Sequence, residues 1–276
     1  MESNDIRLGS VQETLLLPLW GRAVETQKKN PLLVDNLAVT IIKSINYDFR
    51  TIERKINPLS RAAWIARSIY FDRKIHEFLS HHPEASIVNI GCGLDTTYDR
   101  ANNGKSIWYE LDLPDVIELR REYIRENNIR VFIAESVLDR SWYEKIINKD
   151  QVLLLIAGVI YYFDERTVWK LFTEFSAQFK HATILMDYSS RRGVKIANKK
   201  VIEDSGMNGS AKLLWGTDNI YEIERWNERI KVVENMPMFR IHKKNYPAIK
   251  RIGMNISDMM NIMSLAHIEI GVKQCR

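Results

Sequence analysis

A glycine turn followed by two acids has the spacing of a nucleoside-binding site. The stretch SIVNIGCGLDTTYDR is an apolar run that turns at Gly91 and Gly93. Glycines at such a turn let the backbone approach a ligand closely, and a helix that follows the turn offers free N–H groups. In the next apolar run, Glu110 and Asp112 stand nineteen and twenty-one positions beyond Gly91. A ribose diol finds its carboxylate acceptor at about this distance from the turn.

These residues do not by themselves identify which cofactor is bound. The third glycine of the dinucleotide fingerprint is absent, because Thr96 stands in its place. Arg67, in the preceding segment WIARSIYFD, has the planar fork that can bind a carboxylate bidentately. NAD and S-adenosylmethionine share the ribose, so the acids indicate a nucleoside and not a reaction. A turn that uses glycine for its geometry alone is the third alternative.

Other catalytic groups are not marked by any motif. His242, Asp187 and Tyr188 are candidate general bases, but for each of them a structural role is favoured over a catalytic one. The six histidines show no metal-ligand spacing, so no metal site is expected. The sequence also lacks the G-x-S-x-G elbow of a serine hydrolase and the P-loop of a nucleotide hydrolase.

Alternating strands and helices are predicted to position the turn and its acids. The runs SIVNIG, SIWYELD, IRVFIAE, QVLLLIAG and HATILMDYS predict strands, and LPDVIELRREYIREN, RSWYEKII and DERTVWKLFTEFSAQF predict helices. Such alternation is typical of βαβ units in a parallel sheet. Residues 11–80 have helical spacing. The sequence therefore predicts a helical cap over residues 1–83 and a cofactor-binding sheet over residues 86–188.

The pattern changes after residue 188. Residues 190–235 are polar, include the helical segment DNIYEIERWNERIKVVE, and are predicted to form a lid-like insertion. MFRIHKK and HIEIGVK then predict a final pair of strands within residues 236–276. The methionines between these two runs are expected to fill gaps in the packing. No linker divides the chain, so one compact unit is expected.

Composition limits the class of partner. The chain has 276 residues, is 45% hydrophobic and carries a net charge of +5, with basic residues interleaved with acids. This distribution argues against a nucleic-acid partner. One basic stretch without acids, residues 239–257, is expected to be a solvated edge; it holds Arg240, Lys243, Lys244, Lys250 and Arg251.

The sequence also indicates the cellular compartment of the protein. The longest apolar run, residues 152–163, is shorter than the roughly 20 residues of a membrane span. The polar N-terminus has no signal-peptide pattern, and two cysteines cannot build a disulfide framework. A cytoplasmic protein without a membrane partner is expected.

Five motifs, in order, resemble the leucine carboxyl methyltransferase family and its branch of tetracenomycin-type polyketide O-methyltransferases. LLLPLWGRAVET with VDNLA is similar to the family's N-terminal helices, and IARSIYFD to its arginine-containing motif. VNIGCGLDTTYDR resembles its glycine signature, YELDLPDVIELR its Glu-x-Asp-x-Pro element, and LLIAGVIYYF its fourth-strand motif. The resemblance implies an α/β fold with a Rossmann-like class I methyltransferase sheet, an N-terminal helical cap and a lid insertion before the last strands.

The resemblance also implies a cofactor, S-adenosylmethionine, and residues that bind it. Arg67 would hold the methionine carboxylate, Asp112 would take the ribose, and Ser136 with Val137 would flank the adenine. The full implied set is Arg67, Gly91, Gly93, Glu110, Asp112, Ser136, Val137 and Ala157.

Three positions depart from the family pattern. Ser136 stands where the family often has Asp, Ala157 where many members have Glu, and Thr97 where Arg is frequent. The missing carboxylate at Ala157 could favour an anionic or apolar acceptor. For the acceptor, the resemblance favours Tyr162 as a pocket-lining residue, with core packing as its alternative role. Arg22 could help to recognise a carboxylate, with a surface ion pair as its alternative role.

The implied reaction is transfer of a methyl group to a carboxylate or phenolic oxygen of a small molecule. A carboxylate needs no base, whereas a phenol benefits from one. A non-catalytic S-adenosylmethionine-binding protein is one alternative, favoured by the alanine at position 157. An NAD(P)-linked oxidoreductase is the other, and the missing third glycine argues against it.

Overall fold

A seven-stranded sheet forms the centre of the computed structural model, which describes residues 10–45, 47, 49, 56–199 and 212–271. The strands lie in the spatial order β3-β2-β1-β4-β5-β7-β6, and β7 is antiparallel to its neighbours. The first five strands pair in parallel, as predicted. The strands are β1 (Ser86–Ile90), β2 (Ile107–Asp112), β3 (Arg130–Ala134), β4 (Val152–Ile156), β5 (Ala182–Ser189), β6 (Ile230–Pro237) and β7 (Met263–Ile270).

The strand order reverses between β1 and β4. From β1 the chain proceeds outward to β2 and β3, and it then returns to begin the other half at β4. In open α/β sheets, ligands bind at such a switch point, outside the carboxyl ends of the strands. All five residues of β1 and all five of β4 are buried, since helices cover both faces of the sheet. The α/β class and the class I sheet are confirmed.

Eight α-helices pack around the described part of this sheet. One face is covered by α6 and the other by α3, while α1, α2 and α5 form a third apolar cluster that includes Cys92 and Leu94 of the glycine turn. The helices are α1 (Ser10–Thr26), α2 (Asn36–Ser44), α3 (Pro58–His81), α4 (Thr97–Ala101), α5 (Pro114–Tyr123), α6 (Glu165–Gln178), α7 (Arg191–Ala197) and α8 (Ala248–Met259).

The N-terminal helical cap is present as α1, α2 and α3. The longest of these helices begins at Pro58, where the side chain of Asn57 accepts the N–H of Leu59, and it ends just before Pro83. Residues 1–9, 46, 48 and 50–55 of the predicted cap lie outside the described residues. None of the described helices is long and apolar enough to cross a membrane.

One local prediction is wrong in the sheet region, and another holds only for a short helix. The segment RSWYEKII, predicted to be a helix, is a single 3₁₀ turn over Ser141–Lys145. The helix expected directly after the glycine turn is the short α4, which starts only at Thr97. Asp95 interrupts the path, because its side chain accepts the N–H of Thr97 and forms an Asx-type turn there.

The C-terminal boundaries also differ from the prediction. Residues 230–234 were predicted to be helical, but they open β6, whose side chains alternate between buried and exposed before a bulge near Val233. The predicted strand MFRIHKK is a turn leading to a 3₁₀ segment, Lys243–Asn245. The predicted insertion therefore ends before Ile230; its residues 200–211, and residues 272–276 of the predicted final strands, lie outside the described part. β6 is an edge strand with charged side chains toward solvent, so its polarity conceals its period of two.

We expect Met254 and Met259 to differ sharply in their contribution to stability. Met254 is completely buried between α8 and the sheet, whereas Met259 on the same helix is largely exposed. Met254→Ala should lower the free energy of unfolding by about 2–5 kcal/mol, because it leaves a cavity. Met259→Ala should change it by less than about 0.5 kcal/mol. Urea denaturation of both variants measures this; equal losses would contradict the packing described.

Candidate functional site

The glycine turn lies at the switch point, where β1 ends. Gly91 and Gly93 have φ angles of +64° and +45°, a region that disfavours side chains. A Cβ at Gly91 would lie 2.4 Å from Val159 Cγ2, and one at Gly93 would lie 2.9 Å from Leu15 Cδ2. Both glycines are therefore required by the backbone, and Val159 and Leu15 pack directly over the turn.

Asp112 ends β2 beside this turn. Its Oδ2 accepts the N–H of Gly93 at 2.7 Å, and its Oδ1 accepts the N–H of Leu113 at 2.8 Å. Burial raises the pKa of Asp112 and outweighs these two N–H donors, which favour the carboxylate. The side chain remains partly exposed. Asp112 is therefore hydrogen-bonded to the glycine turn and still reaches solvent at the edge of the sheet.

Glu110 does not join Asp112 at the cleft. It is fully buried, with its carboxylate 3.0 Å from Arg120 Nη2 and 3.3 Å from Arg130 Nε. Arg120 in turn donates from Nη1 to the carbonyl oxygen of Gly93 at 2.7 Å. The interpretation of Glu110 as a cofactor contact is corrected, since it pairs with buried arginines and supports the turn from behind.

Arg67 lies in the middle of α3 and reaches the carboxyl ends of β4 and β5. Its Nη1 donates to Asp187 Oδ2 at 2.8 Å, and Asp187 Oδ1 accepts the N–H of Gly158 at 2.7 Å. Burial opposes the charge on Arg67, but Asp187 and Tyr161 outweigh it and raise the pKa of Arg67, so the guanidinium stays cationic. Asp187 has a donor on each oxygen, which removes it as a free general base.

Gly158 keeps the space beside Arg67 open. Its φ is +78°, and a Cβ there would lie 3.0 Å from Arg67 Nη1 and 3.4 Å from Tyr161 Oη. Ala157, just before it, is partly buried against the apolar cluster under α3. Tyr162 is partly exposed, and its ring lies 5.3 Å from that of Tyr161. Tyr161, which the sequence analysis left unassigned, is thus the tyrosine beside the guanidinium.

Asp95 is a site residue that the sequence analysis did not assign. Its Oδ2 accepts hydrogen bonds from Asn89 Nδ2 at 3.2 Å and from the Thr97 N–H at 3.1 Å. Burial disfavours the charge, but Arg22 and Arg100 outweigh it and lower the pKa of Asp95. The charge of Asp95 also contributes, as the smallest of the named causes, to the raised pKa of Arg67. Its only signal in the sequence is its place just after the glycines.

Arg22 is neither a free recognition group nor a surface ion pair. It is buried, with Nε 2.8 Å from Asp35 Oδ2 and Nη2 3.5 Å from Asp95 Oδ1. Its Nη2 also donates to Thr96 Oγ1 at 3.3 Å, in the place of the missing third glycine. Arg22 therefore fastens α1 to the turn, and the expectation that it contacts the acceptor is corrected.

Ser136 and Val137 follow β3 at the same edge of the sheet. Ser136 Oγ accepts the N–H of Leu138, and Val137 packs against the core. Leu113 and Leu138, each next to a predicted site residue, are exposed apolar side chains that the sequence analysis did not single out. The loops after the first four strands therefore bring polar and apolar groups to one edge.

Of the other two candidate bases, Tyr188 has a structural partner and His242 lies away from β5. Tyr188 donates to Asn235 Oδ1 at 2.8 Å. His242 lies in the turn after β6, where burial and Arg73 lower its pKa. Within the described residues, no three His, Cys, Asp or Glu side chains are grouped as metal ligands.

Comparison with known proteins identifies the family. The family described as "Leucine carboxyl methyltransferase" matches residues 16–176, which include the helical cap, the glycine turn, Asp112 and the Gly158 loop. This match covers more than half of the chain. The chain belongs to the leucine carboxyl methyltransferase family. The resemblance expected from the five motifs is confirmed.

Two curated proteins to which the chain is similar are methyltransferases by name. The chain is 32% identical over 161 residues to the tetracenomycin polyketide synthesis O-methyltransferase TcmP of Streptomyces glaucescens, covering 58% of this chain and 59% of TcmP. It is 28% identical over 134 residues to the S-adenosyl-L-methionine-dependent methyltransferase dpfgK of Gibberella zeae, covering 46% and 45%. The matches thus span about half of each relative's length.

The plantazolicin methyltransferase BamL, whose crystal structure contains S-adenosylhomocysteine (SAH), has the same fold. It superposes with a TM-score of 0.52 at 11% identity, covering 95% of this chain and 98% of BamL. At this identity the likeness shows the fold alone. It confirms a methyltransferase-type sheet for this member of the leucine carboxyl methyltransferase family.

Glu110 should contribute to stability and not to ligand affinity. Glu110→Ala leaves Arg120 and Arg130 buried without their carboxylate, so we expect a loss of about 3–5 kcal/mol in the free energy of unfolding. The exposed Glu118→Ala on α5 is the matched control and should cost less than about 0.5 kcal/mol. Urea denaturation measures both. An unchanged stability together with weaker cofactor binding would restore Glu110 as a contact.

Proposed function

We propose that this chain is an S-adenosylmethionine-dependent O-methyltransferase whose acceptor is a small molecule. The observation that carries the proposal is the placement of two charged side chains at the carboxyl edge of the sheet. Asp112 lies on one side of the glycine turn, at the end of β2, and Arg67 lies on the other side, at Asp187 of β5. A fixed guanidinium suits an amino-acid carboxylate, and a partly exposed carboxylate suits a ribose diol. The name of the relative TcmP supports O-methylation, and the name of the relative dpfgK supports S-adenosylmethionine as the methyl donor.

The residues present fit S-adenosylmethionine. Arg67 is buried, and a Cβ at Gly158 would lie 3.0 Å from its Nη1, so a side chain at position 158 would occupy the space that a ligand carboxylate needs beside the guanidinium. Asp112 accepts one N–H on each oxygen and retains lone pairs for hydroxyl donors. Asp95 offers an ionised, partly exposed carboxylate in the loop after the glycine turn, which suits the cofactor's ammonium group. We assign Ser136, Val137, Leu113 and Leu138 to the adenine side of the cleft.

The chain's own residues supply orientation and not acid–base chemistry. The cofactor, when bound, supplies a methyl group activated by its sulfonium. Asp187 fixes Arg67 and the Gly158 backbone, and Val159 with Leu15 covers the turn and excludes water from it. Holding the reactants in line is the main contribution that a protein makes to such a displacement.

The chemical class of the acceptor is inferred from the candidate bases that are already hydrogen-bonded within the protein. Asp187 and Tyr188, two of the three candidate bases, are engaged by donors or acceptors in the protein. Burial raises the pKa of Tyr161 well above its ordinary value, so this hydroxyl is neutral and cannot serve as a base. An acceptor oxygen that ionises without help, a carboxylate or an acidic phenol, fits this site best.

Methyl transfer from labelled S-adenosylmethionine tests the function. We expect the full chain to label an oxygen of aromatic carboxylic acids or acidic phenols; mild base removes the label from an ester and not from an aryl ether. Arg67→Ala and Asp112→Ala should each weaken cofactor binding about 10- to 100-fold, since each loses charge-assisted hydrogen bonds. The controls Arg73→Ala and Asp115→Ala should bind like the parent in calorimetry.

Two outcomes would reject the proposal. Tight cofactor binding without transfer to any acceptor in the panel would indicate a non-catalytic binding protein. Binding of NAD(P) in preference to S-adenosylmethionine would indicate the oxidoreductase.

Asp187 should act on the cofactor through Arg67. Asp187→Asn keeps the size of the side chain but removes the charge that faces the guanidinium, so we expect cofactor affinity to fall about tenfold or more. The exposed Asp150→Asn is the control. Calorimetric titration, at a temperature where circular dichroism shows both variants folded, gives the affinity. Parent-like affinity in Asp187→Asn would show that Arg67 needs no positioning partner.

A further inference from the structure

Helix α8 carries a row of exposed apolar side chains. Ile249, Ile252, Ile256 and Met259 are 79%, 60%, 49% and 79% exposed. Their spacing of three, four and three residues places them on one side of the helix. A continuous exposed apolar surface of this kind marks an interaction site more often than isolated exposed residues do.

The opposite side of α8 is anchored in the protein. Met254 is completely buried, and a Cβ at Gly253 would lie 3.2 Å from Leu59 Cδ1 of α3. Asp258 is buried as well, and its Oδ1 accepts the N–H of Phe239 at 3.0 Å. The helix therefore cannot roll its apolar row inward without losing these contacts.

Basic residues surround the row. The acid-free stretch of residues 239–257, singled out in the sequence, comprises most of α8 and the turn before it. Arg240, Lys244 and Arg251 are exposed there. The next acid along the chain, Asp258, is buried and lies 3.5 Å from Lys243. The exposed charges of α8 before Met259 and of the turn that precedes it are therefore all positive.

We propose that α8 binds an anionic lipid surface. Its isoleucines and Met259 would enter the boundary between headgroups and acyl chains, and its basic neighbours would meet the lipid phosphates. An amphipathic helix with Lys and Arg beside an apolar row has the composition of interfacial helices, and it lies on a membrane without spanning it. This goes beyond methyl transfer and does not depend on it. It departs from the expectation, drawn from the sequence, that the protein has no membrane partner, and it agrees with the finding that none of the described helices could span a membrane.

Charge favours lipid over the other occupants of this surface. In a symmetric dimer through α8, the basic residues of both copies would approach one another, and like charges destabilise such contacts. A nucleic acid would satisfy the charges but leave four large apolar side chains in water. A lipid surface satisfies both the apolar row and the cations.

Vesicle pelleting with the full chain tests the proposal. We expect the chain to sediment with sucrose-loaded vesicles of phosphatidylcholine and phosphatidylglycerol, about tenfold more strongly than with phosphatidylcholine alone, and less at high salt. The double variant Ile249→Ser, Ile252→Ser should lower the partition coefficient by roughly tenfold or more. Ile147→Ser is the matched control, because Ile147 is 80% exposed but lies outside α8.

A second pair of variants separates charge from apolar contact. Lys244→Glu with Arg251→Glu should abolish the preference for phosphatidylglycerol, whereas the exposed Lys105→Glu should leave it unchanged. Failure of the parent chain to sediment with anionic vesicles would overturn the proposal. A dimer in sedimentation velocity that only the α8 variants dissociate would instead assign the surface to a second copy of the chain.

Discussion

Buried charges hold the glycine turn, and they can do so only because each faces an opposite charge. On one side, Arg120 joins Glu110 to the carbonyl of Gly93. On the other side, Arg22 lies between Asp35 and Asp95. A buried charge without a partner costs several kcal/mol, so each of these groups constrains the position of the others. The shape of the turn is thus set by residues that no ligand has to touch.

The positions of the residues in the cleft depend on these buried ion pairs and on the sheet. Asn89 Nδ2 is within hydrogen-bond distance of both Asp95 and Glu110, and it thereby connects the two sets of charges beneath the turn. Arg67 is fixed separately, through Asp187 at the end of β5. The groups assigned to the two ends of the cofactor are therefore positioned by different strands of one rigid sheet. This suits a reaction in which alignment is the main task of the protein.

Local patterns in the sequence predict the centre of this molecule better than its edge. β1 and β4 are continuous apolar runs because both of their faces are buried, and α3 shows its helical spacing and its terminating proline. β6 could not be recognised, since an edge strand with charged residues on one side resembles a polar helix over a few turns. The short turn at Ser141–Lys145 was overestimated because its apolar residues fit either conformation. Trp142 and Tyr143 of this segment would be buried in an α-helix just as they are in the 3₁₀ turn.

The site shows the same limit. Arg67, Asp112 and the glycines follow from motif and spacing, but Glu110 and Asp112 are two acids two residues apart, and spacing cannot distinguish them. Only the distant partners Arg120 and Arg130 decide that Glu110 is buried. Asp187 lies 120 residues beyond Arg67 along the chain. Such pairings arise from the topology and leave no local signal.

The contacts of the Asp35 carboxylate limit which segments of the chain could be exchanged in evolution. It caps α2 through the N–H of Ala38 and meets Arg22, Thr96 and Arg100 within 2.9 Å. One side chain thus serves the helical layer and the loop after β1 at once. A recombination event that exchanged α1 and α2 for helices of another chain would remove the acceptor of the buried Thr96 hydroxyl and one of the two carboxylates that face Arg100. The helical layer and the loop must therefore be inherited together, although more than sixty residues separate them.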